Sequence, residues 1–130
     1  MIDTRVAELA ALFAAAERKT TDPVGRLRVV VAAFATSAET IIHRGCPYGN
    51  LTQELERRDD ELAVCARRLF SVQLDWFTAQ FRALGAGARS HDKAAELLCA
   101  IQGACLVGLA FRDARIFKKR LRQIARDLGR

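Results

Sequence analysis

The sequence holds only 2 Pro, 1 Trp, 1 Tyr and 2 His in 130 residues, and each scarcity closes off a class of protein. So few prolines leave long stretches free to be helical. No alternating apolar and polar run marks a strand, since Val29-Val30-Val31 lies inside a longer helical period. His43 and His91 do not stand in a paired metal-binding frame. The four cysteines, at successive spacings of 19, 34 and 6, make neither a zinc pattern nor a disulfide framework. With no secretory n-region and h-region ahead of them, they are expected to be free thiols in a reducing cytoplasm. The longest stretch without formal charge, Leu97–Phe111, is 15 residues. That falls short of the roughly 20 needed to cross a bilayer, so no membrane association is expected.

What is present is Leu, Ala and Arg, a composition that favours an all-α domain. A length of 130 residues suits one domain spanning 1–130, with a core that needs neither disulfide nor metal. The net charge of +6 is concentrated at one end, because residues 113–130 carry seven Lys/Arg against two Asp.

Along the chain, Ile2, Val6, Leu9 and Phe13 recur at helical spacing and predict a first helix over 2–18. Asp22-Pro23 supplies a cap and a first-turn proline for a second helix, expected to run unbroken to about His43. The stretch Gly45-Cys46-Pro47-Tyr48-Gly49-Asn50 then breaks the pattern, and Asn50 is expected to cap a short helix through Leu51 and Leu55 to Arg57. Asp59-Asp60-Glu61 opens the longest helix, 60–84, with two apolar stripes: Leu62, Cys65, Leu69, Val72 and Trp76, then Phe70, Leu74, Phe77, Phe81 and Leu84. Gly85 to Ala88 closes it. Ser90 is expected to cap a helix that is apolar nearly all round, and Asp113 one in which Phe117, Leu121, Ile124 and Leu128 draw a narrow seam. An all-round apolar helix beside a narrow-seamed one points to self-association, two helices from each chain making a four-helix interface.

No catalytic constellation emerges, and the chain is not expected to be an enzyme, to bind a metal or to carry a cofactor. Cys65, Cys99 and Cys105 fall on apolar faces, where cysteine serves as a small core residue. Cys46 stands apart at a bend close to a helix start, where a thiolate is favoured, which leaves a reactive or redox-sensing role open beside a structural one. Gln73 and Gln102 interrupt apolar faces near an aromatic group of Phe34, Tyr48, Phe70, Trp76 and Phe77. That pattern fits plain core, or a small apolar pocket with a few polar contacts. The basic tail, from Arg115 to Arg130, suits a solvated face or non-specific attraction to phosphates.

The stretch Gly45-Cys46-Pro47-Tyr48-Gly49-Asn50-Leu51-Thr52-Gln53-Glu54-Leu55 resembles a Gly-Cys-x-x-Gly-x-Leu-x-x-Glu-Leu segment of the C-terminal domains of tetracycline-repressor (TetR) family regulators. Leu97 to Ala104, with its Gln102-Gly103-Ala104, resembles the Gln-Gly-Ala segment of that family's penultimate helix. The two segments stand in the family's order and frame most of the chain.

The resemblance implies an all-α bundle of about six helices that binds a small hydrophobic effector and forms a homodimer through its last two helices, 90–128. Residues 1–18 would correspond to the family's linker helix. Leu98, Ile101, Cys105, Phe117, Leu121, Ile124 and Leu128 would lie in the dimer interface. Phe34, Cys46, Tyr48, Leu51, Phe70, Gln73, Trp76, Phe77 and Gln102 would line the effector pocket. The family reads DNA with an N-terminal helix-turn-helix domain that has no counterpart in these residues. The resemblance therefore implies a fragment of a repressor, or a free-standing protein that pairs with related regulators.

Overall fold

The computed structural model describes residues 2–57 and 60–129, the side chain of Asp60 excepted. Asp59, expected to help cap the longest helix, lies outside the described residues, as do the Asp60 side chain and Arg130 of the basic tail. All regular structure among the described residues is helical, an all-α bundle of about six helices in which the second is split. The segments are α1 (Ile2–Lys19), α2 (Pro23–Thr36), α3 (Ala38–Arg44), α4 (Pro47–Glu56), α5 (Asp60–Ala83), α6 (Ser90–Phe111) and α7 (Ala114–Asp127), with one 3-10 turn at Gly87–Arg89 before α6.

Local signals account for most boundaries. The Asp22 carboxylate accepts from the Gly25 N–H at 3.1 Å and Pro23 occupies the first turn of α2. Asp113 caps α7 in the same way through the Arg115 N–H at 2.8 Å. Gly85, at φ 86°, ends α5 in a Schellman arrangement, with Gly85 N–H on Arg82 O and Ala86 N–H on Phe81 O. Arg112 takes the left-handed conformation at the end of α6, at φ 47°, where glycine is the usual residue.

Three boundaries differ from the sequence reading. The helix expected over 23–43 breaks at Ser37, whose N–H turns back to Phe34 O. Thr36 Oγ1 donates to Ala32 O just before the break, a back-bond that bends helices. The start of α4 is at Pro47 with Cys46 in the capping position, so Asn50 lies inside the helix. Ser90 is the first residue of α6 and donates its hydroxyl to Gly87 O at 2.8 Å, tying down the 3-10 turn and leaving the helix end uncapped by a side chain.

The core is continuous, running from Leu9 and Phe13 of α1 through Leu27, Val30 and Phe34 of α2 and Ile41 of α3 to Phe77 of α5, Ile101 of α6 and Phe117 of α7. The long helix α5 packs against α1, α2, α4 and α6. Its buried side runs Ala63, Ala66, Leu69, Gln73, Phe77 and Phe81, while Leu62, Cys65 and Leu84 from the two expected stripes are exposed. Small residues at the first two positions of that stripe let neighbouring backbones approach. With the 3-10 turn included, Gly87–Phe111 is long and apolar enough to cross a bilayer by length and composition, more so than its uncharged portion alone. Here α6 packs against α3, α5 and α7.

Candidate functional site

The Gly45–Asn50 stretch is a hinge between α3 and α4. Gly45 has φ 79° and ψ 178°, a combination closed to side chains with a Cβ. Its N–H closes α3 on Ile41 O at 2.7 Å. Asn50 reaches back across the bend and donates its amide to Arg44 O, satisfying a helix-terminal carbonyl. Cys46 is extended and Pro47 starts α4 on a new heading. A cleft opens on each side of this hinge.

The first cleft is apolar. It is lined by Leu12 of α1, Ala33 and Phe34 of α2, Ser37, Thr40 and Ile41 at the α2–α3 break, and Pro47 and Tyr48 at the hinge. Its volume of about 200 Å³ is below the roughly 300 Å³ at which drug-sized ligands are usually accommodated, so only a small molecule fits without helix movement. The Tyr48 phenol is half-buried, and burial, followed by the negative charge of Glu8, holds its pKa above the ordinary value.

The second cleft, also about 200 Å³, is lined by Gly45, Cys46, Gly49, Asn50 and Gln53 on one wall and by Gln102, Gly103, Cys105, Leu106 and Leu109 of α6 on the other. Gln102 Nε2 lies 3.5 Å from Cys46 Sγ, to which it donates. A Cβ on Gly49 would stand 2.6 Å from Gln102 Oε1, so glycine at that position gives the amide its place. The Cys46 and Cys105 side chains both line this cleft, near enough for each to shift the other's titration. Cys105 does most to lower the Cys46 thiol to about 6; burial opposes it, and donors from Gly49, Gln102 and Tyr48 assist. The Cys46 side chain makes no cap bond at the start of α4, but its place at a helix N-terminus favours the thiolate. Cys105 moves the opposite way, held protonated first by Cys46, then by burial and by the neighbouring thiolate charge.

A third feature lies on the outer side of α6 and α7. Leu106 (61% exposed), Val107 (44%), Phe111 (71%) and Ile116 (41%) face outward. Next to them a groove of about 550 Å³ is lined by Ala100, Gly103, Ala104, Val107, Ile116, Lys119, Arg120 and Gln123. A Cβ on Gly103 would meet nothing within 4 Å, whereas one on Gly108 would come within 3.1 Å of Phe117 Cβ. Of these two glycines, Gly108 serves the close α6–α7 crossing and Gly103 leaves the outer groove open.

The nine pocket candidates do not converge. Phe34 and Tyr48 line the apolar cleft, and Cys46 and Gln102 the thiol cleft. Leu51, Phe70, Gln73, Trp76 and Phe77 line neither. Phe77 is fully buried, and Trp76 stacks on Phe13 with ring centroids 4.5 Å apart and donates to Glu17 at 2.9 Å, holding α1 on α5. Gln73 is fully buried; its amide donates to Leu69 O at 2.7 Å while its Oε1 has no partner. These aromatics and Gln73 are core and helix-packing groups, because the α5 stripe that carries them points at α1, α2 and α6. The polar lining missed in the sequence, Ser37 and Thr40, had its signal in the Thr36-Ser37 pair that breaks the helix.

The seven interface candidates need a similar correction. Leu98, Ile101, Cys105, Phe117, Leu121 and Ile124 are buried within the chain and Leu128 is partly buried against the core. They hold α6 and α7 onto the bundle, so the open surface of those helices belongs to other residues. His43 and His91 are exposed, and among the described residues no group of three or more His, Cys, Asp or Glu is placed to hold a metal ion. No family model matches the chain, and no curated protein matches it.

Proposed function

We propose that the chain is the effector-binding and dimerisation part of a TetR-like transcriptional repressor, working in the cytoplasm as a homodimer. The observation that carries this reading is the outer face of α6 and α7: Leu106, Val107, Phe111 and Ile116 exposed beside an open groove, on the pair of helices the resemblance assigns to dimerisation. A second copy related by a two-fold axis buries that face against itself. Asp92 and Glu96 near the start of α6 and the Lys and Arg side chains of α7 give the two copies opposite charges to pair.

The apolar cleft supplies the effector site, for a small hydrophobic molecule with one hydroxyl or carbonyl that Ser37, Thr40 or Tyr48 can meet. Leu12 of α1 forms one wall of it. A ligand that wedges Leu12 away from Phe34 and Tyr48 favours one tilt of α1 over another, and differential affinity for the two tilts is what couples effector to DNA binding. The DNA itself belongs to a helix-turn-helix domain outside these residues. The alternative of a free-standing partner that pairs with related regulators uses the same outer face.

Light scattering coupled to size exclusion tests the reading. The chain is expected to run as a dimer at micromolar concentration, and Val107→Glu with Phe111→Glu to run as a folded monomer. A monomeric wild type, or a dimer indifferent to both substitutions, overturns it.

A further inference from the structure

The reading above uses neither buried cysteine. Cys46 and Cys105 are 59 residues apart in sequence, yet the fold buries both on one cleft, one from the α3–α4 hinge and the other from the middle of α6. Both line the same cleft, and a third polar group, the Gln102 amide, donates to Cys46 Sγ at 3.5 Å. The remaining cysteines, Cys65 and Cys99, are exposed and have no such setting.

We propose that Cys46 and Cys105 form a reversible redox pair, in which a hydroperoxide entering the second cleft joins them as a disulfide that staples the hinge to α6. The cleft's 200 Å³ far exceeds the roughly 10 to 15 Å³ that one water needs on this measure, so hydrogen peroxide has room beside the sulfurs. The Cys46 thiolate attacks one peroxide oxygen. A sulfur–oxygen bond forms, the oxygen–oxygen bond breaks, and the departing hydroxide takes the Cys105 proton to leave as water. Cys46 is then a sulfenic acid, oxidised by two electrons. The Cys105 thiolate next attacks the Cys46 sulfur, the sulfur–oxygen bond breaks, and hydroxide leaves and is protonated by solvent. The sum is two thiols and one peroxide giving one disulfide and two waters. A dithiol reductant reverses it by exchange.

Cys46 is the attacking group for reasons visible around it. It has the larger set of donors to its sulfur and the lower pKa, while Cys105 keeps its proton until the first step releases it. The proposal needs neither an effector nor a second copy, so its failure and that of the repressor reading are separable.

The test is peptide mapping of the full reduced chain after one equivalent of hydrogen peroxide, with remaining thiols alkylated. Of four free thiols, half are expected to be lost together, the Cys46 and Cys105 peptides joined and their mass lower by two hydrogens, with dithiothreitol restoring all four. Cys105→Ser is expected to abolish the link and leave a Cys46 sulfenic acid that dimedone traps. Cys65→Ser with Cys99→Ser is expected to change nothing. Links through Cys65 or Cys99, oxidation of Cys46 alone in the wild type, or no loss of thiol each overturn the proposal. The wild-type map decides the matter even if the Cys105→Ser protein does not fold.

Discussion

The two clefts flanking the Gly45–Asn50 hinge have the same volume and share a wall-forming segment, yet they differ in chemistry. The cleft on the Pro47–Tyr48 side meets α1, α2 and α3 and presents rings and aliphatic groups with two hydroxyls at the α2–α3 break. The cleft on the Cys46–Gly49 side meets α6 and presents two thiols and three side-chain amides. A single turn produces both, because at the start of a helix successive residues point to different sides, so Cys46 and Tyr48 diverge. The apolar cleft is suited to binding by shape; the thiol cleft is marked by its sulfur and amide groups. One site rests on packing, the other on hydrogen bonds to sulfur.

The core under the two clefts is common to both, and removing it should erase the distinction. Phe77 is fully buried in the cluster that also contains Phe34, Ile41, Cys46 and Cys105. Phe77→Ala is expected to cost about 3 to 5 kcal/mol of unfolding free energy, from lost transfer energy plus the cavity left behind. Chemical denaturation followed by circular dichroism measures it, and a loss below about 1 kcal/mol would mean that the two clefts do not rest on this residue.

A pH series separates the clefts, since only one contains a group that titrates in the neutral range. Folding lowers the Cys46 thiol from 9.0 to about 6, so between those values the unfolded chain holds a proton that the folded chain has released. Stability from this group therefore rises with pH from about 6 and is fully present above 9.0, and it is lost as pH falls through 6. Cys105 is raised by folding, so above 9.0 the folded chain keeps a proton that the unfolded one gives up, and stability falls again. The reduced protein is expected to be most stable near pH 9 as far as this pair is concerned. The expected amplitude is a few kcal/mol at most. Denaturant midpoints of wild type and Cys46→Ala across pH check it: the rise between 6 and 9 should disappear in the variant.

Breaking the hinge should disturb both clefts at once. Gly45→Ala places a Cβ at φ 79° and ψ 178°, and that Cβ would also lie 2.8 Å from Asn50 Oδ1. The expected cost is about 1 to 3 kcal/mol, with the Asn50 amide pushed off Arg44 O. Denaturation gives the cost, and an unchanged midpoint would show that the chain turns here without needing glycine.

Tyr48→Phe acts on the apolar cleft alone. It keeps the ring and removes only the half-buried hydroxyl near Glu8, for an expected loss of at most about 1 kcal/mol. The Cys46 titration, followed by thiolate absorbance, should stay where it was. A shift there would show that the clefts are electrostatically joined through the hinge.

Much of the fold was legible in the sequence because helix signals are local. Asp22-Pro23, Gly85 and Asp113 each act within one turn, and each sits at the boundary it signals. The break at Ser37 was less visible, since Thr36 and Ser37 also occur inside intact helices. Which side of α6 points inward was not legible at all. Leu97, Leu98, Ile101 and Cys105 are buried while Leu106, Val107 and Phe111 are exposed, and a helix apolar on every side offers no phase from which to tell them apart. The residues that the resemblance would place in the interface are buried within the chain, Leu128 only in part. That Cys46 and Cys105 share a cleft depends on how α3 packs on α6, a contact that no spacing of 59 residues announces. The bend was recognisable as a bend, but its two-sidedness came only with the structure.

The smallest effect on stability should come with a clear effect on the thiol cleft alone. Gly49 lies in the first turn of α4, where replacing glycine by alanine ordinarily gains about 0.5 to 1 kcal/mol by restricting the unfolded chain. In Gly49→Ala the new Cβ would meet Gln102 Oε1 at 2.6 Å, and since that atom is the end of a flexible side chain, the amide moves and the helix stays. The gain and the displaced contact offset each other, leaving stability within about 0.5 kcal/mol of wild type. Cys46 loses the Gln102 donor, so its thiol should titrate above its wild-type value while Tyr48 and the apolar cleft are untouched. Thiolate absorbance against pH, in a background lacking Cys65 and Cys99, reads the shift. An unmoved Cys46 would assign its acidity to Cys105 and the start of α4 alone and remove Gln102 from the thiol cleft's chemistry.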